Sequence, residues 1–447
     1  MCTAATLTAF AVLGNARICT ETEVVILGAG VTGVTATGTL HNNGVEDFIV
    51  LEYQDRIGGR MHEVTFGKGQ QYVGEAGANW VHGTGGPEAH VNPIILALKA
   101  SLRTLTSDVE NATVYHQTGE IPPELLVNAL EAVSEADSKV LADAGIRLHH
   151  HLEDRTYRAA LRRQGWNPKE TNHSQGGRNF RDLYRSNHEC DGQVLLSPRG
   201  VQLRSTWFAI ILRNVADPLF EGQNAWRLRK KTIVNEIEHD DDSVTDHSTD
   251  RKCVRANCEI YTRATEVEDK MPLRASNGHV YQNIHAISAF LPAQEPPLDV
   301  PGVLEGSNIL VVTVVNDQAH RIERQSEDKT QAEIMEVLHM IFGDEAVPEP
   351  IDIYYARWTQ KPWSYGSYSN WPPAVSAQTH QNLRANVGRV LFAGEATSPN
   401  FSGFLHGAYY EGKRAAKSIT SCLYGPGWND CDPDRGRDGA TLFLEFA

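Results

Sequence analysis

The sequence lacks any long apolar run, and none reaches the roughly eighteen residues that a membrane-spanning helix needs. Positive charge is also scarce, since 41 Lys and Arg stand against 56 Asp and Glu, for a formal net charge of −15. This balance argues against a nucleic-acid partner and favours attraction of small cations. Cysteines are few, and no further Cys or His pair follows Cys253 and Cys258 at a zinc-binding spacing. We therefore expect no membrane segment, no nucleic-acid surface and no metal site.

The N-terminus leaves the cellular compartment open. Residues 1–21 contain a short apolar stretch, Ala4 to Leu13, followed by Gly14 to Ala16, as in a degraded secretory signal. No basic segment precedes this stretch, so a cytoplasmic chain is the alternative to a secreted or extracellular one. An even number of cysteines follows Ala16, and their pairing stays open. They are Cys19, Cys190, Cys253, Cys258, Cys422 and Cys431.

A β-branched run, Val24 to Leu27, leads into glycines spaced G-x-G-x-x-G at Gly28, Gly30 and Gly33. The pattern predicts a buried parallel strand, a tight turn, and a helix whose N-terminus faces a diphosphate. A second apolar run ends at Glu52, where a carboxylate accepts hydrogen bonds from ribose hydroxyls. These features together predict a dinucleotide site in a Rossmann-type βαβ unit.

The turn that follows indicates further phosphate contacts. Asp55 to Arg60 contains a glycine pair and the guanidinium of Arg60, which supply backbone donors and a cation to the same diphosphate. An ordinary polar turn is the alternative interpretation.

A second strand and helix are predicted near the C-terminus. Arg389 to Gly394 has the pattern of a short strand, which places Glu395 at the carboxyl edge of a sheet, where open α/β sheets bind ligands. Small residues between Gly403 and Gly412 open a helix whose N-terminal amides stabilise negative charge. An ordinary βα unit that completes the sheet is compatible with the same role.

Four segments in combination resemble the flavin amine oxidases, and within them the polyamine oxidases. They are Glu52 to Arg60, Gly77 to Gly83, Leu391 to Thr397, and Gly403 to Ala408. The resemblance implies an α/β fold with a glutathione-reductase-like FAD-binding domain and an α+β substrate-binding domain. It also implies FAD, held noncovalently because no cysteine stands in a flavin-linking context. The implied FAD-binding residues are Gly28, Gly30, Gly33, Glu52, Arg60, Gly77, Ala78, Asn79, Trp80, Val234, Gly394, Glu395, Phe404, Leu405 and Ala408.

The implied domains are discontinuous in sequence. The FAD-binding domain takes residues 22–105, 199–255 and 351–423, and the substrate domain takes residues 106–198 and 256–350, followed by a tail at 424–447. Apolar periodicity within these segments predicts helices over 122–142, 201–215 and 329–342, and a strand over 308–315.

The resemblance implies oxidation of polyamines of the spermine and spermidine class, with O2 as acceptor and an aminoaldehyde, an amine and H2O2 as products. His82 is predicted to orient the substrate or accept a proton, with a structural histidine as the alternative. Tyr368 is expected beside the flavin, and Trp80 and Phe404 are expected to line the substrate site. Arg263 stands where the family has a catalytic lysine, and arginine does not release its proton at neutral pH.

Two other functions stay open. The first is an oxidase of other amines or of amino acids, although no arginine is assigned as a carboxylate clamp. The second is a flavin-binding protein without turnover, which is favoured by a family strand that is shortened or missing between Arg251 and Asn283. The oligomeric state is not predicted.

Overall fold

The computed structural model of this chain describes residues 18–69, 72–78, 80–81, 92, 105–106, 115–116, 119–120, 122–150, 152, 155–166, 201–202, 207–262, 282–288, 309–314, 316–369 and 377–425. Three residues with predicted functions, Asn79, His82 and Arg263, lie outside these ranges.

The described residues form seventeen strands and eight α-helices. The strands are β1 Thr20–Leu27, β2 Phe48–Leu51, β3 Glu63–Phe66, β4 Tyr72–Glu75, β5 Trp80–Val81, β6 Leu105–Thr106, β7 Tyr115–His116, β8 Gly119–Glu120, β9 Val201–Gln202, β10 Leu228–Arg229, β11 Val234–His239, β12 Val244–Ser248, β13 Cys253–Tyr261, β14 Gln282–Ser288, β15 Ile309–Val314, β16 Pro350–Tyr354 and β17 Val390–Phe392. The helices are α1 Val31–Asn42, α2 Pro123–His149, α3 Tyr157–Arg163, α4 Trp207–Phe220, α5 Asn316–Glu323, α6 Glu327–Phe342, α7 Ala377–Asn382 and α8 Leu405–Tyr424.

The largest sheet is built around β1 and β13, which run parallel from Thr20 beside Val254 to Leu27 beside Tyr261. Strands β2 and β10 extend the sheet beyond β1, in the order β10-β2-β1-β13. On the other side of β13, β12 pairs antiparallel with its first half and β17 pairs parallel with its second half. The predicted βαβ unit of β1, α1 and β2 is therefore confirmed, and the carboxyl ends of β1, β2, β13 and β17 meet at one edge.

Helices cover one face of this sheet and the β11–β12 hairpin packs on the other. Ile26, Ile260 and Leu391 of the sheet pack with residues of α1, α4 and α8 in one buried core. Val25 and Leu51 pack with Val234 and Val244 of the hairpin in a second core. Because the central strands are buried on both sides, they read as nearly continuous apolar runs in the sequence.

A second, antiparallel sheet forms the α+β part of the described chain. Its strand order is β15-β14-β16. Ile322 of α5 and Ile334 of α6 pack with Tyr355 against this sheet in a core of their own. Among the helices of the described ranges, none is long and apolar enough to cross a membrane.

Most predicted elements have their counterparts, but one helix was placed wrongly. The predicted helices at 122–142 and 329–342 correspond to α2 and α6, and the predicted strand at 308–315 corresponds to β15. The predicted helix at 201–215 is wrong in its first part, because Val201–Gln202 forms β9 and the helix begins only at Trp207. An apolar run shorter than a helix does not distinguish strand from helix by periodicity.

Two predicted domain boundaries fall inside strands. The boundary at 255/256 lies within β13, which continues to Tyr261 in the largest sheet. The boundary at 350/351 lies within β16, which pairs with β14 in the second sheet. The division into domains otherwise stays a prediction.

The cysteine pairing that the sequence left open is partly resolved. Cys19, the residue before β1, forms a disulfide with Cys253, the first residue of the neighbouring parallel strand β13, and their Cα atoms are 4.6 Å apart. Cys422 is also disulfide-bonded. Cys258 is a buried free thiol in β13.

Candidate cofactor and active site

The glycine turn after β1 leaves an opening at the carboxyl edge of the sheet. The amide of Gly28 donates to the carbonyl of Leu51 at 2.8 Å, and its φ of 105° is one that glycine adopts without strain. A Cβ on Gly33 would lie 1.9 Å from the carbonyl oxygen of Gly28, so only glycine permits this packing of α1. A Cβ on Gly30 would have no heavy atom within 4 Å. The space in front of Gly30 is therefore open.

A second glycine turn borders the same opening. The amide of Gly58 donates to the carbonyl of Ala29 at 2.8 Å, and a Cβ on Gly59 would lie 3.5 Å from the Cα of Gly30. The Arg56 guanidinium holds this turn, because it donates to the carbonyls of Gly59 at 2.8 Å and Met61 at 3.1 Å. Two glycine turns thus lie together where the sequence predicts a diphosphate.

Glu52 lies at the end of β2 beside these turns. Its carboxylate accepts hydrogen bonds from the amides of Ala29 at 2.7 Å and Gln54 at 2.8 Å. Burial raises the pKa of Glu52 despite these two bonds. A carboxylate has about four acceptor positions, so two backbone donors leave capacity for hydroxyl groups.

The segment that leads to Val234 runs alongside Glu52. The amide of Glu52 donates to the carbonyl of Arg229 at 2.9 Å, and the amide of Thr232 donates to the carbonyl of Glu52 at 2.9 Å. Val234 follows as the first residue of β11 and is buried. Val234 packs with Leu51 of β2, the residue before Glu52, and its role in binding the cofactor stays a prediction.

Glu395 joins elements from distant parts of the chain. Its carboxylate lies 2.8 Å from Nη1 of Arg60 and accepts the amide hydrogens of Ser369 at 3.0 Å and Gly403 at 2.7 Å. Burial opposes its ionisation, but the Arg60 guanidinium and the hydrogen bonds from Ser369 and Gly403 hold the pKa of Glu395 below its usual range. Glu395 is therefore an anion at neutral pH.

Tyr368 and Phe404 lie at the start of α8. A Cβ on Gly403, whose φ is 84°, would lie 3.7 Å from Cδ2 of Tyr368, so Tyr368 lies close to the turn before the helix. Phe404 is the N-cap residue of α8, and its ring centroid is 5.4 Å from that of His406. Nδ1 of His406 lies 3.1 Å from Nδ2 of Asn92.

Of the remaining residues predicted to bind FAD, Gly77, Ala78, Leu405 and Ala408 lie near the same edge, whereas Trp80 lies in a separate small sheet. A Cβ on Gly77 would lie 1.8 Å from the carbonyl oxygen of Arg60, so the two turns are in contact. Ala78 and Leu405 pack against the core of the largest sheet, and Ala408 is buried in the first turns of α8. The backbone of Trp80 belongs to β5 and pairs with Gln202.

Arg263 is placed at the position of the family's lysine by taking Ile260 to Thr262, which precede it, as the nearest equivalent of the strand that carries that lysine. Ile260 and Tyr261 pair with Ile26 and Leu27 at the centre of the largest sheet. A strand buried on both faces explains their apolar character. The equivalence with the family's lysine strand, and with it a catalytic role for Arg263, stays a prediction.

Two polar residues of the site were missed by sequence reasoning. Ser369 donates its amide to Glu395. Thr262 donates its amide to the carbonyl of Leu27 at 3.1 Å, and its Oγ1 fills the space where a Gly28 side chain would lie. A hydroxyl residue directly after a buried strand was the available signal for Thr262.

The residues at this edge fit a dinucleotide. The opening at Gly30 is bordered by two glycine turns, as phosphate oxygens require for close approach to backbone. Glu52 has free acceptor positions for ribose hydroxyls. Arg60 supplies a guanidinium group that also forms an ion pair with Glu395. The His, Cys, Asp and Glu residues of the described ranges form no group that could hold a metal ion.

Known proteins resemble this chain along most of its length. Residues 31–218 and 261–420 match the family described as flavin containing amine oxidoreductase. The chain is 29% identical to polyamine oxidase 7 of Oryza sativa subsp. japonica, over 87% of this chain and 93% of that protein. It is 28% identical to polyamine oxidase 1 of Zea mays, over 90% of each chain. Its fold is similar to that of a putrescine oxidase with putrescine bound, at a TM-score of 0.65 and 16% identity over 90% of this chain and 100% of that one.

Proposed function

The chain belongs to the family of flavin-containing amine oxidoreductases, and on that premise we propose that it oxidises polyamines of the spermine and spermidine class. Its cofactor is FAD. The observation that carries the proposal is the similarity, over most of both lengths, to polyamine oxidases of rice and maize. The formal net charge of −15 supports a polycationic substrate, because an acidic surface raises the local concentration of cations.

The residues at the sheet edge have separate roles in holding the cofactor. The turns at Gly30 and Gly59 receive the diphosphate, Glu52 receives the ribose hydroxyls, and the Arg60 and Glu395 pair binds nearer the flavin. Bound FAD would supply the redox chemistry, namely the two-electron oxidation of the carbon beside the amine nitrogen and the reduction of O2 to H2O2. The oxidised amine is an imine, which water hydrolyses to an aminoaldehyde and an amine.

The protein must hold a neutral nitrogen at the reacting carbon and exclude bulk water. In this proposal, Tyr368 and Phe404 line the substrate site together with Trp80, and His82 accepts the proton of the incoming ammonium group. The position of Tyr368 against Gly403, at the start of α8, supports its part.

An oxidase assay with peroxide detection tests the proposal. Purified holoprotein is given spermine, spermidine, a simple monoamine and an L-amino acid under air. Polyamine oxidation predicts H2O2 from spermine or spermidine at the highest kcat/KM. Peroxide from the monoamine or the amino acid alone would instead identify an oxidase of other amines or amino acids, and no peroxide from a yellow protein would identify a flavin-binding protein without turnover.

The role of His82 is tested by His82→Ala, with His150→Ala as the matched control. His150 is an exposed histidine directly after α2. We expect His82→Ala to lower the rate of amine oxidation by roughly a hundredfold, the lower end of the range for a positioned general acid or base. The control should leave it unchanged. Equal rates in both variants would remove His82 from the mechanism.

We also infer that the protein functions in an oxidising compartment, as a secreted or extracellular enzyme. The disulfide between Cys19 and Cys253 supports this, because structural disulfides are rare in the reducing cytosol. Fusing residues 1–21 to a reporter tests the inference in a secreting cell. Reporter in the medium is the expected result, and reporter retained in the cytosol would contradict it.

A further inference from the structure

Glu411 of α8 lies behind the turn that carries Glu395. The residue is 3% exposed, and its Oε2 accepts a hydrogen bond from Oγ1 of Thr397 at 2.9 Å. Thr397 ends the 3₁₀ turn Glu395–Thr397, and its Oγ1 also lies 3.0 Å from both the amide nitrogen and the carbonyl oxygen of Gly394. One carboxylate on a neighbouring helix therefore fixes the hydroxyl that closes this turn.

Two arginines balance the charge of Glu411. Nε of Arg414 lies 2.9 Å from Oε2, and Nη2 of Arg384 lies 3.5 Å from Oε1. Arg414 also donates from Nη2 to the carbonyl of Phe392 at 2.7 Å, at the end of β17. Because an unbalanced buried charge is strongly destabilising, the three side chains depend on one another. Together they fasten the turn to both β17 and α8.

His380 fastens the middle of the same turn. Its Nε2 lies 2.9 Å from the carbonyl oxygen of Ala396. Burial lowers the pKa of His380 to about 4, so the ring is neutral at pH 7 and its Nε2–H donates to that oxygen. Glu395, in contrast, extends its side chain to Arg60 and to the amide of Gly403. The backbone of the turn is thus held by Glu411 and His380, whereas the side chain of Glu395 contacts Arg60 and Gly403.

We propose that Glu411 is a positioning residue for FAD binding, which acts through Thr397 and keeps the Glu395 turn ordered before the cofactor arrives. Without this support the turn must be ordered during binding, and the free energy of ordering is subtracted from the binding free energy. Glu411 itself is not a catalytic residue, and the inference does not depend on which amine is oxidised.

The test is a titration of the apoprotein with FAD, in which protein fluorescence reports binding. Glu411→Gln removes the charge that balances the two arginines, and we expect it to raise the FAD dissociation constant by roughly tenfold. Asp137→Asn is the matched control, because Asp137 is a buried carboxylate that accepts a 2.7 Å hydrogen bond from Tyr157 in the α2–α3 pair. The control is expected to lower the thermal midpoint of the apoprotein without changing FAD affinity.

Variants of Thr397 test the route of the effect. Thr397→Val removes the hydroxyl and should weaken FAD binding as Glu411→Gln does, whereas Thr397→Ser keeps the hydroxyl and should bind FAD like the wild type. The double variant with Thr397→Val and Glu411→Gln should bind no more weakly than either single variant, because each single change already removes the hydrogen bond between the Thr397 hydroxyl and the charged Glu411 carboxylate. Additive losses, or an unchanged affinity in Glu411→Gln, would overturn the proposal. If Glu411→Gln does not fold, equal affinities in the two Thr397 variants would overturn it.

Discussion

Arg60 and Glu395 form an ion pair in which Nη1 lies 2.8 Å from Oε1, although 335 positions separate the two residues in sequence. Arg60 follows the glycine turn after β2, and Glu395 follows β17. The pair therefore joins the carboxyl ends of two strands of the largest sheet. Two motifs that stand far apart in the chain form one site through this contact.

We expect the two residues of this pair to be energetically coupled. Arg60→Gln leaves the Glu395 carboxylate buried without its guanidinium, and should lower the free energy of unfolding by roughly 2 kcal/mol. Glu395→Gln removes the charge itself, so the double variant should be more stable than the sum of the single effects predicts, by about 1 kcal/mol. Urea unfolding of the four apoproteins measures this coupling. Strictly additive effects would show that the contact contributes nothing.

Two neighbouring glycines should respond differently to alanine. Gly33→Ala places a Cβ 1.9 Å from the carbonyl oxygen of Gly28, and should destabilise the apoprotein by about 2 kcal/mol. Gly30→Ala points a methyl group into open space, and should change apoprotein stability by less than about 1 kcal/mol. Because the methyl group occupies the space that the diphosphate needs, this variant should nevertheless bind FAD at least tenfold more weakly, or roughly 1.4 kcal/mol.

Chemical denaturation and FAD titration of the two glycine variants measure the difference. If Gly30→Ala bound FAD as tightly as the wild type, the opening in front of Gly30 would not be the phosphate site.

The buried His380 makes stability depend on pH. Burial lowers its pKa in the folded state from 6.5 to about 4, so the unfolded chain binds an additional proton between these values. The stabilisation is complete above about pH 6.5 and is lost as the pH falls towards 4, by roughly 3 kcal/mol in all. Since the amide of Gln can donate to the Ala396 carbonyl without titrating, His380→Gln should flatten the stability curve in this range. Parallel curves for variant and wild type would contradict the assignment.

The disulfide between Cys19 and Cys253 should stabilise the largest sheet. It closes a loop of 234 residues, and removing it with Cys19→Ser should cost about 3 kcal/mol under oxidising conditions. Under a strong reductant the wild type loses the same bond, so the two proteins should become equally stable. Urea unfolding with and without reductant gives the comparison. A difference that persists after reduction would assign the effect to the residue rather than to the bond.

Local patterns predicted the parts of the fold that depend on neighbouring residues. The glycines from Gly28 to Gly33 and the acid at Glu52 belong to one βαβ unit, and their chemistry is visible in a short stretch of sequence. The pairing of β13 with β1 was not visible, because it joins segments more than two hundred residues apart. Nothing in the apolar run of β13 indicates which strand it pairs with. The pairing of Cys19 with Cys253 depends on that same register.

The support behind the site was missed for a related reason. Glu411 and Arg414 stand on a helix at a spacing that is typical of an exposed surface pair. Glu411 is nevertheless buried beside Thr397 and Arg384, on a helix that packs closely against α1, where a Cβ on Gly412 would lie 2.4 Å from the carbonyl oxygen of Thr32. These two helices are far apart in the sequence, and the only sign of their contact in the sequence is the glycine itself.

The most direct test of polyamine oxidation is anaerobic reduction of the purified holoprotein. In the absence of O2, spermine or spermidine should bleach the visible absorption band of the oxidised flavin in a single turnover, and admission of air should restore the band with formation of H2O2. A band that persists with both polyamines, or that bleaches only with a monoamine, would contradict the account.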